Sequence, residues 1–92
     1  MTTLRFFTKP DCSLCDAALY VVRRVQRWTP LELEIVDISA PGNEPWLDAY
    51  RHDIPVLHVN GTEAFRHRVD ERALREMLEA SPPTASDRPA TP

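Results

Sequence analysis

The feature that most constrains this chain is a helical pattern bracketed by two strand-like runs. From Ser13 to Trp28, Leu14, Ala18, Val21, Val25 and Trp28 recur at the spacing of one helix face. Asp16 lies in the first turn and Arg23, Arg24 and Arg27 lie in the last ones, which suits the helix dipole, and Pro30 ends the pattern. Before it, Leu4 to Thr8 is built of β-formers and aromatics and stops at the turn residues Lys9-Pro10-Asp11. Phe6 and Phe7 are adjacent, so both faces of this strand carry an aromatic ring, as in a central strand covered on both sides. After the helix, Leu31 to Asp37 alternates, with Leu31, Leu33 and Ile35 facing one way. That run reads as an edge strand, half exposed at its start. Strand, helix and strand with short links imply a parallel pair joined by a right-handed crossover.

The rest of the chain adds smaller elements. Asn43 offers a helix cap, Pro45 fits the first turn, and Trp46, Leu47 and Tyr50 make the apolar side of a short helix. Val56 to Val59 is a third strand. Asn60-Gly61 follows, a strong type I′ hairpin signal because both turn positions need positive φ. Glu63 to Arg68 is the returning strand. Asp70 caps a final helix in which Leu74, Met77 and Leu78 are buried and Val69 staples against Leu74. Residues 1–80 are expected to form one α/β domain, a mixed four-stranded sheet (βαβαββα) flanked by three helices. Residues 81–92 hold four of the nine prolines and no period, and are expected to be a disordered tail.

Size and charge limit the functions open to such a chain. A domain of 92 residues buries only about 60–65% of its unfolded surface, so function belongs on a loop or a helix end rather than in a deep pocket. A net charge of −3 argues against nucleic acid as a partner. The arginine cluster reads as a solvated helix face. The longest apolar run, Ala17 to Val22, is too short to span a bilayer. The start has no basic region followed by an apolar run, so the expected compartment is the cytosol, and a monomer is expected. Two cysteines in a reducing compartment suit redox or metal chemistry better than a structural staple.

Cys12-Ser13-Leu14-Cys15 falls where the first strand meets the first helix. A helix N-terminus presents unpaired N–H groups and positive potential, which favour a thiolate. Two intervening residues bring Cys15 within reach of a disulfide with Cys12. Cys12 would be the exposed nucleophile and Cys15 the thiol that resolves a mixed disulfide. Lys9 favours the thiolate while Asp11 and Asp16 oppose it; a lowered Cys12 pKa is expected on balance. Two other readings of the pair are packing alone and zinc. Zinc would need further ligands, and His52, His58 and His67 have no paired spacing, so no metal is expected. Ile54-Pro55 precedes the third strand, where a proline withholds no ladder hydrogen bond. Taken alone, it reads as an ordinary trans proline at a strand boundary.

The run Phe7-Thr8-Lys9-Pro10-Asp11-Cys12-Ser13-Leu14-Cys15 resembles the active-site region of glutaredoxins. Asp53-Ile54-Pro55-Val56-Leu57 resembles that family's cis-proline segment, and Val59-Asn60-Gly61 with Arg68-Val69-Asp70 extends the likeness over roughly residues 3 to 79. The chain is similar to the glutaredoxin-like branch of small CxxC proteins. The resemblance implies a thioredoxin/glutaredoxin fold in which Pro55 is cis and faces Cys12. It implies that the Ile54 backbone pairs with a bound peptide or glutathione, and that Lys9 contacts a glutathione carboxylate. Asp70 matches an acidic residue that holds the glutathione amine, and equally reads as a plain helix cap. The chain departs from glutaredoxins proper in two places. Ser13-Leu14 stands where they have Pro-Tyr, and His67-Arg68 stands where they have a Gly-Gly pair. Arg68 there either blocks glutathione or replaces a backbone contact with a charge.

Three functions fit this reading. The first is a thiol–disulfide oxidoreductase that acts on protein or glutathione mixed disulfides, with glutathione as a candidate reductant. The second is a non-catalytic binding module that presents Trp46, Tyr50 and the groove near Pro55 to a protein. The third is a glutathione-dependent iron–sulfur protein, whose [2Fe–2S] cluster would use Cys12 of two chains, an arrangement with which Cys15 competes.

Overall fold

The computed structural model describes residues 2–80. The tail expected over 81–92 lies outside the described residues. The elements are β1 (Thr2–Thr8), α1 (Ser13–Trp28), β2 (Leu31–Asp37), α2 (Glu44–Tyr50), β3 (Val56–Val59), β4 (Thr62–Arg66) and α3 (Glu71–Ala80). One mixed sheet has the order β2-β1-β3-β4. β1 and β2 are parallel from Thr2↔Leu31 to Thr8↔Asp37. β3 runs antiparallel to β1, with Phe7 opposite Val56. The β3–β4 hairpin turns at Asn60 and Gly61, whose φ values of 51° and 87° are both positive. The Asn60 side chain also accepts a hydrogen bond from the Thr3 N–H, which ties the turn to β1.

The two sheet faces are covered differently. Phe7 packs against α2, with its ring 4.7 Å from Trp46 and 5.1 Å from Tyr50. Leu4, Phe6 and Leu57 point the other way and are fully buried. That side receives the apolar stripes of α1 and α3, which touch each other. Arg24 and Glu71 join these two helices through an ion pair of 3.1 Å.

Four local expectations need correction. The buried face of α1 is Cys15, Ala18, Val22 and Val25, while Leu14 and Trp28 are exposed and Val21 is half-buried. Two stripes of helical spacing compete here, and the one that contains Cys15 wins, because a cysteine packs as a small apolar group. In β2 Leu31 is buried and Leu33 half-buried, but Ile35, expected to face the same way, is exposed. Asn43 occupies the N-cap of α2 without capping it: its amide donates instead to the Asp37 carbonyl at 2.8 Å. β4 ends at Arg66 rather than Arg68. The His67 N–H still donates to the Pro55 carbonyl at 2.8 Å, in register with Val56–Arg66, but Pro55 has no N–H to return and His67 takes φ 73°, so the pairing stops.

Candidate functional site

The loop from β1 into α1 sets the first cysteine. Asp11 takes φ 61°, a left-handed value that an aspartate tolerates better than most residues. The chain thereby reverses into the helix with Cys12 at the N-cap. The Cys12 Sγ accepts a hydrogen bond from the Cys15 N–H at 3.2 Å, and the Cys12 carbonyl accepts one from the Asp16 N–H at 3.0 Å. Sulfur therefore takes the place usually held by a serine or aspartate oxygen, over otherwise unpaired amides. Cys12 is half-buried, whereas Cys15 is 1% exposed. The two sulfurs form a disulfide, with the Cα atoms 5.2 Å apart.

The second part of the site comes from the start of β3. Because β3 is antiparallel to β1 and Val56 pairs with Phe7, Pro55 lies at the sheet end from which the Cys12 loop leaves. The Ile54–Pro55 peptide bond is cis, and both residues are buried. The preceding Asp53 anchors this segment. Its carboxylate bridges the Arg66 guanidinium at 2.9 Å and the His67 imidazole at 3.0 Å. The His67 N–H also reaches the Asp53 carbonyl at 3.2 Å. The His67 hydrogen bond, with help from Arg66, holds the Asp53 carboxyl below the usual carboxylate range. Arg66 does the same for Glu63. Next to them, Tyr50 Oη and His58 Nε2 lie 2.9 Å apart, and burial lowers the His58 pKa. Periodicity gave no sign of this bridge, because Asp53 and Arg66 meet only once β4 folds back on β3.

The remaining candidates sit around these two parts. Lys9 is exposed in the turn before Cys12. Arg68 is exposed in the link between β4 and α3. The Asp70 carboxylate accepts the Ala73 N–H at 3.0 Å and so caps α3. Val69 and Leu74, at the two positions a staple would join, are both buried in the core. Trp46 and Tyr50 are packed on Phe7, and the Tyr50 ring is buried. Among the described residues, no group of three or more His, Cys, Asp and Glu side chains is gathered as a metal site would need. Among them also, no helix is long and apolar enough to cross a membrane.

A parallel βαβ unit followed by an antiparallel hairpin, with two cysteines opening the first helix, defines the thioredoxin fold. Solved structures agree. XcR50, a structural-genomics target from X. campestris, matches with a TM-score of 0.67 and 25% identity, over 86% of this chain and 99% of that one. Thioredoxin O2 from Arabidopsis thaliana, in its oxidized state, has a TM-score of 0.64 and 20% identity over 87% of this chain and 74% of its own, a likeness of fold alone. Within this fold the chain belongs to the glutaredoxin-like domain family (DUF836), whose model matches residues 3–79. A curated relative, the glutaredoxin-like protein YDR286C homolog of Dictyostelium discoideum, is 35% identical over 80 residues, covering 83% of this chain and 74% of that protein.

Proposed function

We propose that this protein is a thiol–disulfide oxidoreductase working through Cys12 and Cys15. The observation that carries the reading is the asymmetry of the pair: a half-buried Cys12 whose sulfur accepts an N–H at a helix N-terminus, bonded to Cys15 sealed in the core. In the reduced protein the Cys12 thiolate attacks one sulfur of a substrate disulfide. A mixed disulfide forms and one substrate thiolate leaves. The Cys15 thiolate then attacks the Cys12 sulfur, which releases the second substrate thiolate and closes the Cys12–Cys15 disulfide. Two electrons pass from the dithiol to the substrate. Two molecules of glutathione, oxidised in turn to glutathione disulfide, would return the protein to the dithiol. Ile54 and Pro55 border the path of the incoming disulfide, and Lys9, Arg68 and Asp70 supply charges near it. We place this reaction in the cytosol and carried out by a monomer.

Trapping tests the assignment of roles. Cys15→Ser is expected to accumulate a mixed disulfide at Cys12, visible by intact mass, when mixed with hydroxyethyl disulfide or oxidised glutathione. Cys12→Ser is expected to accumulate none and to lose all turnover. Equal trapping at both positions, or turnover by Cys12→Ser, would refute the assignment.

A further inference from the structure

We infer that the groove beside Cys12 selects a polypeptide disulfide flanked by an aliphatic or aromatic side chain and then by an acidic one. This rests on the oxidoreductase reading and names the substrate class of the same site. A groove of about 250 Å³ runs between α1 and the link into α3. Leu14, Ala17 and Val21 form one wall, on the helical stripe that the core leaves unused; Val69 faces them, and His67 and Arg68 stand at the rim. Leu14 is two residues from Cys12 and 60% exposed. His67, on the rim, donates its backbone N–H to the Pro55 carbonyl at 2.8 Å, which ties that rim to the cis-proline segment. Leu14 on one wall and His67 on the other thus place the groove next to the cysteine pair and the cis-proline, where a substrate disulfide would sit.

One charge on the rim, Arg68, is free to recognise an acidic segment. The His67 ring is held by Asp53, and the Asp70 carboxylate, which also lines the groove, accepts the Ala73 N–H. Arg68 makes no ion pair among the described residues, so it offers an open guanidinium on the rim. An apolar side chain seated on Leu14 and Val21 removes their exposed surface from water. A carboxylate next along the segment then meets Arg68. The space is below that of a site for a drug-sized molecule and suits one or two side chains.

The test uses the full chain and a set of disulfide-cyclised peptides that differ only after the second cysteine: Leu-Glu, Ser-Glu, Leu-Gln and Leu-Lys. Hydroxyethyl disulfide serves as a small substrate, and a glutathionylated peptide is included. The wild-type protein should turn over Leu-Glu about tenfold better than Ser-Glu in kcat/KM, the scale of one apolar side chain in a pocket. It should prefer Leu-Glu to Leu-Gln by about threefold, the scale of an exposed ion pair. Leu14→Ser should collapse the first ratio towards one, and Arg68→Glu should reverse the order of Leu-Glu and Leu-Lys. Ratios are taken within each variant, so a change in folding or in the dithiol cancels. Equal turnover of all four peptides, or preference for the glutathionylated peptide, overturns the inference while turnover of hydroxyethyl disulfide still supports the oxidoreductase. No turnover of any disulfide overturns both.

Discussion

Two neighbouring valines of α1 should differ sharply when truncated. Val22 is fully buried in the stripe that contains Cys15, whereas Val21 is half-buried on the groove side. Val22→Ala removes two buried methyl groups, a loss of about 1.6 kcal/mol at roughly 0.8 kcal/mol per carbon. A residual cavity of about 40 Å³ adds about 1 kcal/mol. The better helix propensity of alanine returns about 0.5 kcal/mol, so the net cost is about 2 kcal/mol. The same change at Val21 loses about half the transfer energy, leaves no cavity and gains the same propensity, so its net cost is about 0.3 kcal/mol. In a domain of this size, Val22→Ala should lower Tm by roughly 8–16 °C and Val21→Ala by only about 1–2 °C. Urea unfolding of the oxidised proteins, followed by far-ultraviolet circular dichroism, gives both values. If Val21→Ala proved the costlier change, α1 would be rotated towards the Leu14–Val21–Trp28 face. Cys15 would then leave the core, and the asymmetry assigned to the two sulfurs would be lost.

Other changes probe the neighbouring elements. Asp70→Ala should cost about 1 kcal/mol in urea unfolding through loss of the α3 cap, and Asp70→Asn much less, because an amide oxygen still accepts the Ala73 N–H; equal losses would mean that charge, not capping, is what matters there. His58 should make stability fall on mild acidification. Burial lowers its pKa in the folded protein, so the unfolded chain takes up a proton first, as pH drops below about 6.5. Stability is then lost between that value and the lower folded one. Urea midpoints at several pH values should show the slope in the wild type and less of it in His58→Gln; an unchanged slope would assign it elsewhere.

Much of the fold is written in local pattern. α1 and β2 have the bounds that the apolar period, Pro30 and the alternation at Leu31 imply. The Asn60-Gly61 turn and the Asp70 cap follow from backbone chemistry confined to a few residues. What the sequence concealed depends on partners far along the chain. Leu14–Val21 and Cys15–Val22 are equally good helical stripes, and only the sheet decides between them. Asn43 looks like a cap until Asp37 presents a nearer carbonyl. Arg66, His67 and Arg68 continue the look of a strand, yet His67 falls opposite Pro55, which has no N–H to return, and the pairing ends at Arg66. The cysteine pair itself was legible, because its chemistry needs only a strand end, a helix start and a spacing of three.

That spacing would link folding to the proposed reactivity of the pair. Successive helical residues are about 100° apart, so a side chain facing the sheet has a neighbour that does not. Cys12, at the N-cap, lies outside the first turn and keeps part of its sulfur open, while Cys15 enters the stripe shared with Ala18, Val22 and Val25. The Cys15 N–H that binds the Cys12 sulfur is free to do so because the helix begins there and not earlier. Asp11, by its left-handed backbone, sets where it begins. A start shifted by one residue would bring Asp11 or Ser13 to the cap and leave Cys12 without its amides. Hydrophobic packing along α1 holds that start in register, so the same contacts that stabilise the core also set which of the two cysteines is sealed and which is reachable.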